Sequence, residues 1–593
     1  MESSTAAIME KALKWLKMDK NPVTHAEIQR LVDAHNFDEL NKRLDERIVF
    51  GTAGLRARMQ AGFSYMNDVT VIQTSQGLGA YVIEQFGRNA AVERGIVVGY
   101  DHRHNSARFA RLTAAAFLTQ GIKVYFYDEL SHTPLVPFGI KHFGALAGVM
   151  ITASHNPAMD NGYKVYWENA CQIIPPHDKA IYNIIEQHLE PKCWDFLLVD
   201  DHPLAVKRLL EVREAYFAAI KQETATPSPP LGFKFVYTPM HGVGLFAMKE
   251  AVDDLGLLES IVVVKEQALP NPDFPTVSFP NPEEKGALDL AIADAGADLI
   301  PLVTASDPDA DRFAAAILDF NAVDPSPTYT ILTGNELGIL FAAFILETYK
   351  GDRSSMAMLA STVSSQMLGY MAEAEGFIFE ETLTGFKWLG NVALQLREKG
   401  INAIYAFEEA IGYMFTNVVP DKDGIAAASV FLCAAIHWAN TERLTPLQKL
   451  EQLYKKYGYF ESHNSYFISP SPAITRGVFE RIRDLKSEDE KFPKYVGKRL
   501  VLRWRDLTTG YDSGTPDNAP NLPVSKSSDM ITCWLEGEVR FSVRGSGTEP
   551  KIKMYIECKA GSREAAKKGA DEVAVDLEKE WFRPFETGLK KPQ

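Results

Sequence analysis

Cysteine is scarce in this chain. Its five copies, Cys171, Cys193, Cys433, Cys533 and Cys558, are scattered through 593 residues, odd in number and never spaced as C-x-x-C. That excludes a disulfide framework and leads us to expect a reducing, cytoplasmic setting. Long apolar runs are missing too. Nothing approaches the roughly 20 residues that cross a bilayer. Residues 1–5 show no basic region leading into an apolar core, so no secretory signal is expected. Positive charge is in deficit: the formal net charge of −15 argues against nucleic acid or an anionic membrane as partner. An anionic small molecule would have to be held by a local cluster of Arg and Lys. No interface motif is readable, so the oligomeric state stays open.

What is present is the composition of a globular protein, 46% hydrophobic and 23% charged, long enough for roughly four domains. Residues 1–50 carry Ile28, Leu31 and Val32 at helical spacing. Short apolar runs then alternate with longer amphipathic stretches, as α/β layers require. Strands are predicted at 96–100, 123–127 and 147–152, then at 233–237, 261–264 and 299–304, then at 356–360, 377–381 and 401–407. Between the first two groups lies a polar, proline-rich linker at 224–232. After about residue 455 the texture becomes α+β, with strands at 498–504, 530–535, 539–543 and 551–558 and a helix from Ser562 to about Trp581. These breaks give domains at 1–225, 226–325, 326–455 and 456–593.

Each block delivers a polar loop from a strand end, where α/β sheets bind ligands. The first is Thr152-Ala153-Ser154-His155-Asn156-Pro157, with Lys164 following. A hydroxyl displayed there beside cations fits a nucleophile or a phosphoryl carrier, and equally a turn that caps the next helix. The second is Asp307-Pro308-Asp309-Ala310-Asp311-Arg312. Its alternating carboxylates can converge on a hard cation such as Mg²⁺. Arg312 and Leu318 occupy positions that exclude an EF-hand. An aspartyl-phosphate enzyme of the haloacid dehalogenase kind, with Asp307 as nucleophile, is the rival reading. Glu408 and Glu409, with Thr384-Gly385-Phe386-Lys387, offer acceptors and a cation for sugar hydroxyls or act as a solvated surface. Arg544-Gly545-Ser546-Gly547-Thr548 joins glycines, hydroxyls and a guanidinium, suited to a phosphate but lacking the Walker order. Near the start, Gly51-Thr52-Ala53-Gly54-Leu55-Arg56 is a further small-residue loop ending in a cation.

Taken together and in this order, these loops resemble those of the α-D-phosphohexomutases over almost the whole chain. Residues 51–56, 384–388 and 407–414 look most like the phosphopentomutase/phosphoglucomutase-2 branch, which includes glucose-1,6-bisphosphate synthase. The resemblance implies four domains around a central cleft: three related α/β modules, each a mixed sheet between helices, and a C-terminal α+β domain with an antiparallel sheet. It implies Ser154 as the phosphoryl carrier and a metal ligand beside Asp307, Asp309 and Asp311, which would hold one Mg²⁺. It implies Lys164 as general acid/base, with Arg56 and His155 close to the transferred group. Arg312, Thr384, Gly385, Lys387 and Glu409 would face the sugar, and Arg544, Ser546, Gly547 and Thr548 would grip the phosphate at rest. The implied enzyme is a cytoplasmic isomerase that acts on sugar phosphates and is activated by a sugar 1,6-bisphosphate. The alternative is a bisphosphate synthase with 1,3-bisphosphoglycerate as donor. Two departures stand out. Ile411 replaces a serine of the well-known phosphoglucomutases, which puts a strict glucose preference in question. Gly545, where larger residues are usual, is expected to loosen the phosphate loop.

Overall fold

The computed structural model describes residues 2–52, 54–224, 228–320, 328–546 and 551–591. Part of the expected linker, 225–227, lies outside them, as do Gly547 and Thr548. The chain divides into two compact units, Met1–Ile345 with Phe386–Arg443 and Leu346–Gly385 with Leu444–Gln593.

The first unit begins with helices Glu2–Met18, Pro22–Asp33 and Phe37–Leu44, which close a small core around Trp15, Ile28 and Leu40. A six-stranded sheet follows, built from β1 (Leu55–Arg58), β2 (Ile96–Tyr100), β3 (Val124–Phe126), β4 (Ala147–Ile151), β5 (Asp160–Trp167) and β6 (Ala205–Val206) in the order β1-β5-β4-β2-β3-β6. Every residue of β2 and β4 is buried, as expected of near-continuous apolar strands covered on both faces. These two run parallel, whereas β5 returns antiparallel to β4. The segment between β4 and β5 is therefore a hairpin loop.

The next sheet repeats the device. It comprises β7 (Phe235–Thr238), β8 (Ile261–Val263), β9 (Leu302–Ser306), β10 (Phe313–Asp319) and β11 (Thr328–Ile331), ordered β11-β10-β9-β7-β8. Buried β9 lies parallel to β7 and turns back antiparallel into β10, pairing Ser306 with Phe313. The strand starts later than the predicted 299–304. Leu299 is exposed with a left-handed φ of 51°, and Pro301 has no N–H to give a ladder. In the second unit, β12 (Met356–Ser361) and β13 (Ile378–Thr382) pair in parallel. In the first unit, β14 (Asn402–Glu408) turns into antiparallel β15 (Gly412–Phe415), a third hairpin of the same kind.

Helix Gly424–Thr441 is long and apolar enough to cross a membrane, contrary to the reading of the sequence, but it is mostly buried and serves as a core helix. Asp423 caps it, its Oδ1 accepting from Ile425 and Ala426 N–H. In the second unit, β16 (Tyr459–Ile468), β17 (Tyr495–Val496), β18 (Arg499–Asp506), β19 (Tyr511–Asp512), β20 (Met530–Leu535), β21 (Val539–Gly545) and β22 (Lys551–Ala560) form an antiparallel sheet, ordered β16-β22-β21-β20-β18-β17 with β19 on β18. Helix Arg563–Leu577 packs on it, N-capped by Ser562, and a π turn at Glu578–Phe582 drives Trp581 into the core.

Candidate active site

Each hairpin of the first unit ends in chemistry. In the loop after β4, Ser154 adopts a left-handed φ of 54° and is 2% exposed. Its N–H donates to Thr152 Oγ1 (2.9 Å), and its hydroxyl donates to Asp307 Oδ2 (2.7 Å). His155 Nδ1 stands 3.3 Å from the same hydroxyl. Desolvation, then Arg312 and Arg56, hold the His155 imidazole well below its usual range, so it is neutral. Arg56, on β1, donates to Asn156 Oδ1 across the loop (3.3 Å). Because β5 pairs back on β4, Lys164 lies opposite Met150 and directs its ammonium to Asp309 Oδ2 and Asp311 Oδ2, both at 2.7 Å.

Asp307, Asp309 and Asp311 are fully buried, and a ligand oxygen from each lies within 4.8 Å of the others. Burial raises Asp307 well above the ordinary carboxylate range, and Asp309 and Asp311 add repulsion. Asp309 is desolvated as well, yet Lys164 and Thr133 hold it well below that range. Asp309 Oδ1 and Asp311 Oδ1 are buried with no hydrogen-bond donor. Orphaned carboxylate oxygens in a crowded acidic turn are the donor set of a hard divalent cation, so the residues fit the metal that the sequence implies. Arg312 binds this turn to the hairpin between β14 and β15. Its N–H donates to Asp307 Oδ1 (2.9 Å) and its Nη1 to Ala410 O (2.8 Å).

In the hairpin between β14 and β15, Glu409 is half-buried. Ile411 is 1% exposed, and its left-handed φ of 49° is rare for a β-branched residue. Its carbonyl accepts from Phe313 N (3.2 Å), which ties this hairpin to β10. Lys387 Nζ donates to Thr52 Oγ1 in the N-terminal small-residue loop. Of the ten predicted residues of this unit, eight fall on the three hairpins and their flanks, Arg56 lies on β1 and Lys387 in the first turn of helix Phe386–Glu398.

Thr384, Gly385, Arg544 and Ser546 belong to the second unit. Gly385 has φ 105°, a conformation open to glycine. Arg544 Nη2 donates to Tyr555 OH (3.2 Å), and Ser546 N–H to Lys551 O (2.8 Å). Gly545 is a strand residue paired with Ile552, and a Cβ there would meet only ordinary contacts. Gly547 and Thr548 lie outside the described residues.

Sequence reasoning missed two residues. Lys422, just before helix Gly424–Thr441, puts a second ammonium on Asp311 Oδ2 (2.8 Å). Thr133, in the loop after β3, donates its hydroxyl to Asp309 Oδ2 (2.5 Å) and its N–H to Asp309 O (2.9 Å). Thr133, in Ser131-His132-Thr133-Pro134, offers no carboxylate or glycine to draw notice, whereas Lys422 sits in Asp421-Lys422-Asp423-Gly424, a polar loop that the same reading of the sequence could have found.

A serine aimed into an acidic, cation-ready turn and rimmed by Arg and Lys is built for phosphoryl transfer. Known proteins narrow the class. Residues 47–192, 214–319 and 333–457 match the phosphoglucomutase/phosphomannomutase α/β/α domains I, II and III. Phosphoribomutase of Saccharomyces cerevisiae is 48% identical over 97% of this chain and 96% of its own. Human glucose 1,6-bisphosphate synthase is 43% identical over 92% and 89%. The solved structure of parafusin, a phosphoglucomutase from Paramecium, shares the fold, with a TM-score of 0.65 and 18% identity over 92% of this chain and 96% of that one. The chain belongs to the α-D-phosphohexomutase family. It is a sugar-phosphate mutase, an isomerase.

Proposed function

We propose that Ser154 carries the transferable phosphoryl group and that the enzyme interconverts sugar 1-phosphates and terminal sugar phosphates, those of ribose, deoxyribose and glucose, through a bisphosphate intermediate. The observation that carries this reading is the contact between the Ser154 hydroxyl and Asp307, inside an acidic turn that also engages Lys164. As phospho-Ser154 gives up its phosphoryl, the P–Oγ bond breaks and a P–O bond to a sugar hydroxyl forms. The hydroxyl loses a proton and Oγ gains one, an exchange assigned to Lys164. Asp307, Asp309, Asp311 and Ser154 would hold one Mg²⁺. When bound, it supplies neutralising charge for the phosphoryl oxygens. Arg56 and the neutral His155 flank the transferred group, and Arg312, Thr384, Gly385, Lys387 and Glu409 orient the sugar. Arg544, Ser546, Gly547 and Thr548 hold the phosphate that is not reacting. The bisphosphate would turn around in the site and return its other phosphoryl to Ser154, and a sugar 1,6-bisphosphate added as activator would phosphorylate Ser154 in the same way. Domains at 1–225, 226–325, 326–455 and 456–593 carry the four loops in turn.

A second reading is supported by the 43% identity to a glucose 1,6-bisphosphate synthase: the same serine charged by 1,3-bisphosphoglycerate. One experiment separates them. Purified protein with Mg²⁺ and a trace of glucose 1,6-bisphosphate is given ribose 1-phosphate or glucose 1-phosphate, with and without 1,3-bisphosphoglycerate. Isomerised monophosphate should dominate; bisphosphate accumulating faster would replace the mutase reading by the synthase one. Phosphopeptide mapping should find the label on Ser154, and Ser154→Ala should lose nearly all turnover. Label on Asp307 would overturn the mechanism.

A further inference from the structure

Arg103 is fully buried, so it cannot meet a substrate, yet it is wholly committed to the serine loop. Its Nη2 donates to Ser154 O (2.6 Å) and Asn156 O (2.5 Å), and its Nη1 to Pro157 O (2.9 Å) and Asp160 O (3.3 Å). All four η N–H groups are thereby spent on main-chain carbonyls of one turn. Asp101 sits 3.4 Å from Arg103 Nε, and its Oδ1 accepts from Arg103 N–H (3.0 Å) and Ser106 Oγ (2.6 Å). Ser106 Oγ accepts in turn from Asn161 on β5 (3.0 Å), and the Phe274 ring lies 5.0 Å from the guanidinium carbon. The arginine is anchored before it reaches the loop.

Such a clamp answers a problem in the backbone. Ser154 holds a left-handed φ that L-residues avoid, and since cross-strand bonding to β5 ends with Thr152 N–H on Gly162 O, the turn must be fixed by other bonds. A planar fork with donors in fixed directions suits this task, and an ammonium does not. In-line transfer depends on where Oγ points, and a misplacement of about 1 Å far from the chemistry can cost about 100-fold in rate.

Resting on the reading of Ser154 as phosphoryl carrier, we propose that Arg103 is a positioning residue for phosphoryl transfer, holding the serine loop in its reactive conformation. The test is single-turnover labelling of the enzyme by ³²P-glucose 1,6-bisphosphate, with steady-state KM and thermal melting, in wild type, Arg103→Lys and Asp101→Asn. Arg103→Lys should keep a cooperative melt and a KM within about threefold of wild type, while labelling of Ser154 slows by ~10- to 100-fold. Asp101→Asn, which keeps the fork and loosens its anchor, should fall between. For Arg103→Ala, added guanidinium should restore part of the labelling rate, an effect that a general loss of fold would not show. Wild-type labelling rates in both Arg103→Lys and Asp101→Asn, or a loss expressed entirely as raised KM, would overturn the proposal. Label absent from Ser154 in the wild-type protein would instead refute the reading on which it rests, whatever the Arg103 variants do.

Discussion

At the scale of single residues, the acidic turn shows how neighbouring groups fix a candidate metal ligand in place. Asp309 is shared between a charge, Lys164, and a neutral hydroxyl, Thr133, while its Oδ1 is left free for a cation. Thr133 is 1% exposed, so Thr133→Val keeps the shape and removes only the hydroxyl. Partners that orient a metal ligand are commonly worth ~10- to 100-fold in affinity. Calorimetric titration with Mg²⁺ should therefore show the variant binding at least tenfold more weakly, with an unchanged melt. An unaltered isotherm would show that Lys164 alone fixes Asp309. Ile411 teaches a different lesson. The sequence singles it out for a lost hydroxyl, whereas the structure buries its side chain and puts the unusual feature in its φ, so its hold on the β14–β15 hairpin is exerted through the backbone.

At the scale of elements, three of the loops were legible because each follows a predominantly apolar strand. Runs such as β2 and β4 stay apolar because both faces are covered, and the break to Ser, Asp or Glu is abrupt. The returning strands were not legible. β5 carries Asp160, Asn161 and Lys164 near its start, and β16 mixes Glu461, His463 and Asn464 with aromatics, so neither reads as a buried strand. The acid/base role of Lys164 thus rested on the resemblance. Packing between loops was also invisible. Gly242, beside left-handed Met240 and His241, lies so close to the acidic loop that a Cβ would sit 2.3 Å from Pro308 Cα and O. The contact is continued by Val243 N–H donating to Pro308 O (2.8 Å). Gly242→Ala must push Pro308 aside, and overpacking of this kind costs about 1 to 3 kcal/mol. We expect a lower melting temperature and weaker Mg²⁺ binding together. A stability loss with wild-type metal affinity would mean that Asp307 and Asp309 do not feel this contact.

At the scale of the molecule, the net charge of −15 and the demand for a basic site are reconciled by placement. Arg56 on β1, Lys164 on β5, Arg312 in the acidic turn, Lys387 at the start of helix Phe386–Glu398 and Lys422 before helix Gly424–Thr441 all belong to one unit. The second unit has its own core and its own charge problem. Glu557 on β22 lines a shallow pocket with Arg540, Tyr555 and Ser364, and its Oε2 accepts from Gln366 N–H (2.8 Å). Desolvation lifts its carboxyl to about 7, outweighing the bonds from Ser365 and Gln366 and the pull of Arg540. An acid whose pKa is raised on folding binds its proton more tightly in the native state. Its stabilising contribution is full below the unfolded value of 4.5 and fades as the pH climbs through about 7. The melting transition of the second unit should therefore drop between pH 5.5 and 8.5 by an amount on the order of 5 °C. Glu557→Gln, which keeps the bond from Gln366 N–H and cannot ionise, should lose that drop and melt above wild type at pH 8.5. Scanning calorimetry at both pH values decides the matter. The wild-type drop persisting undiminished in Glu557→Gln would assign the pH dependence to other groups.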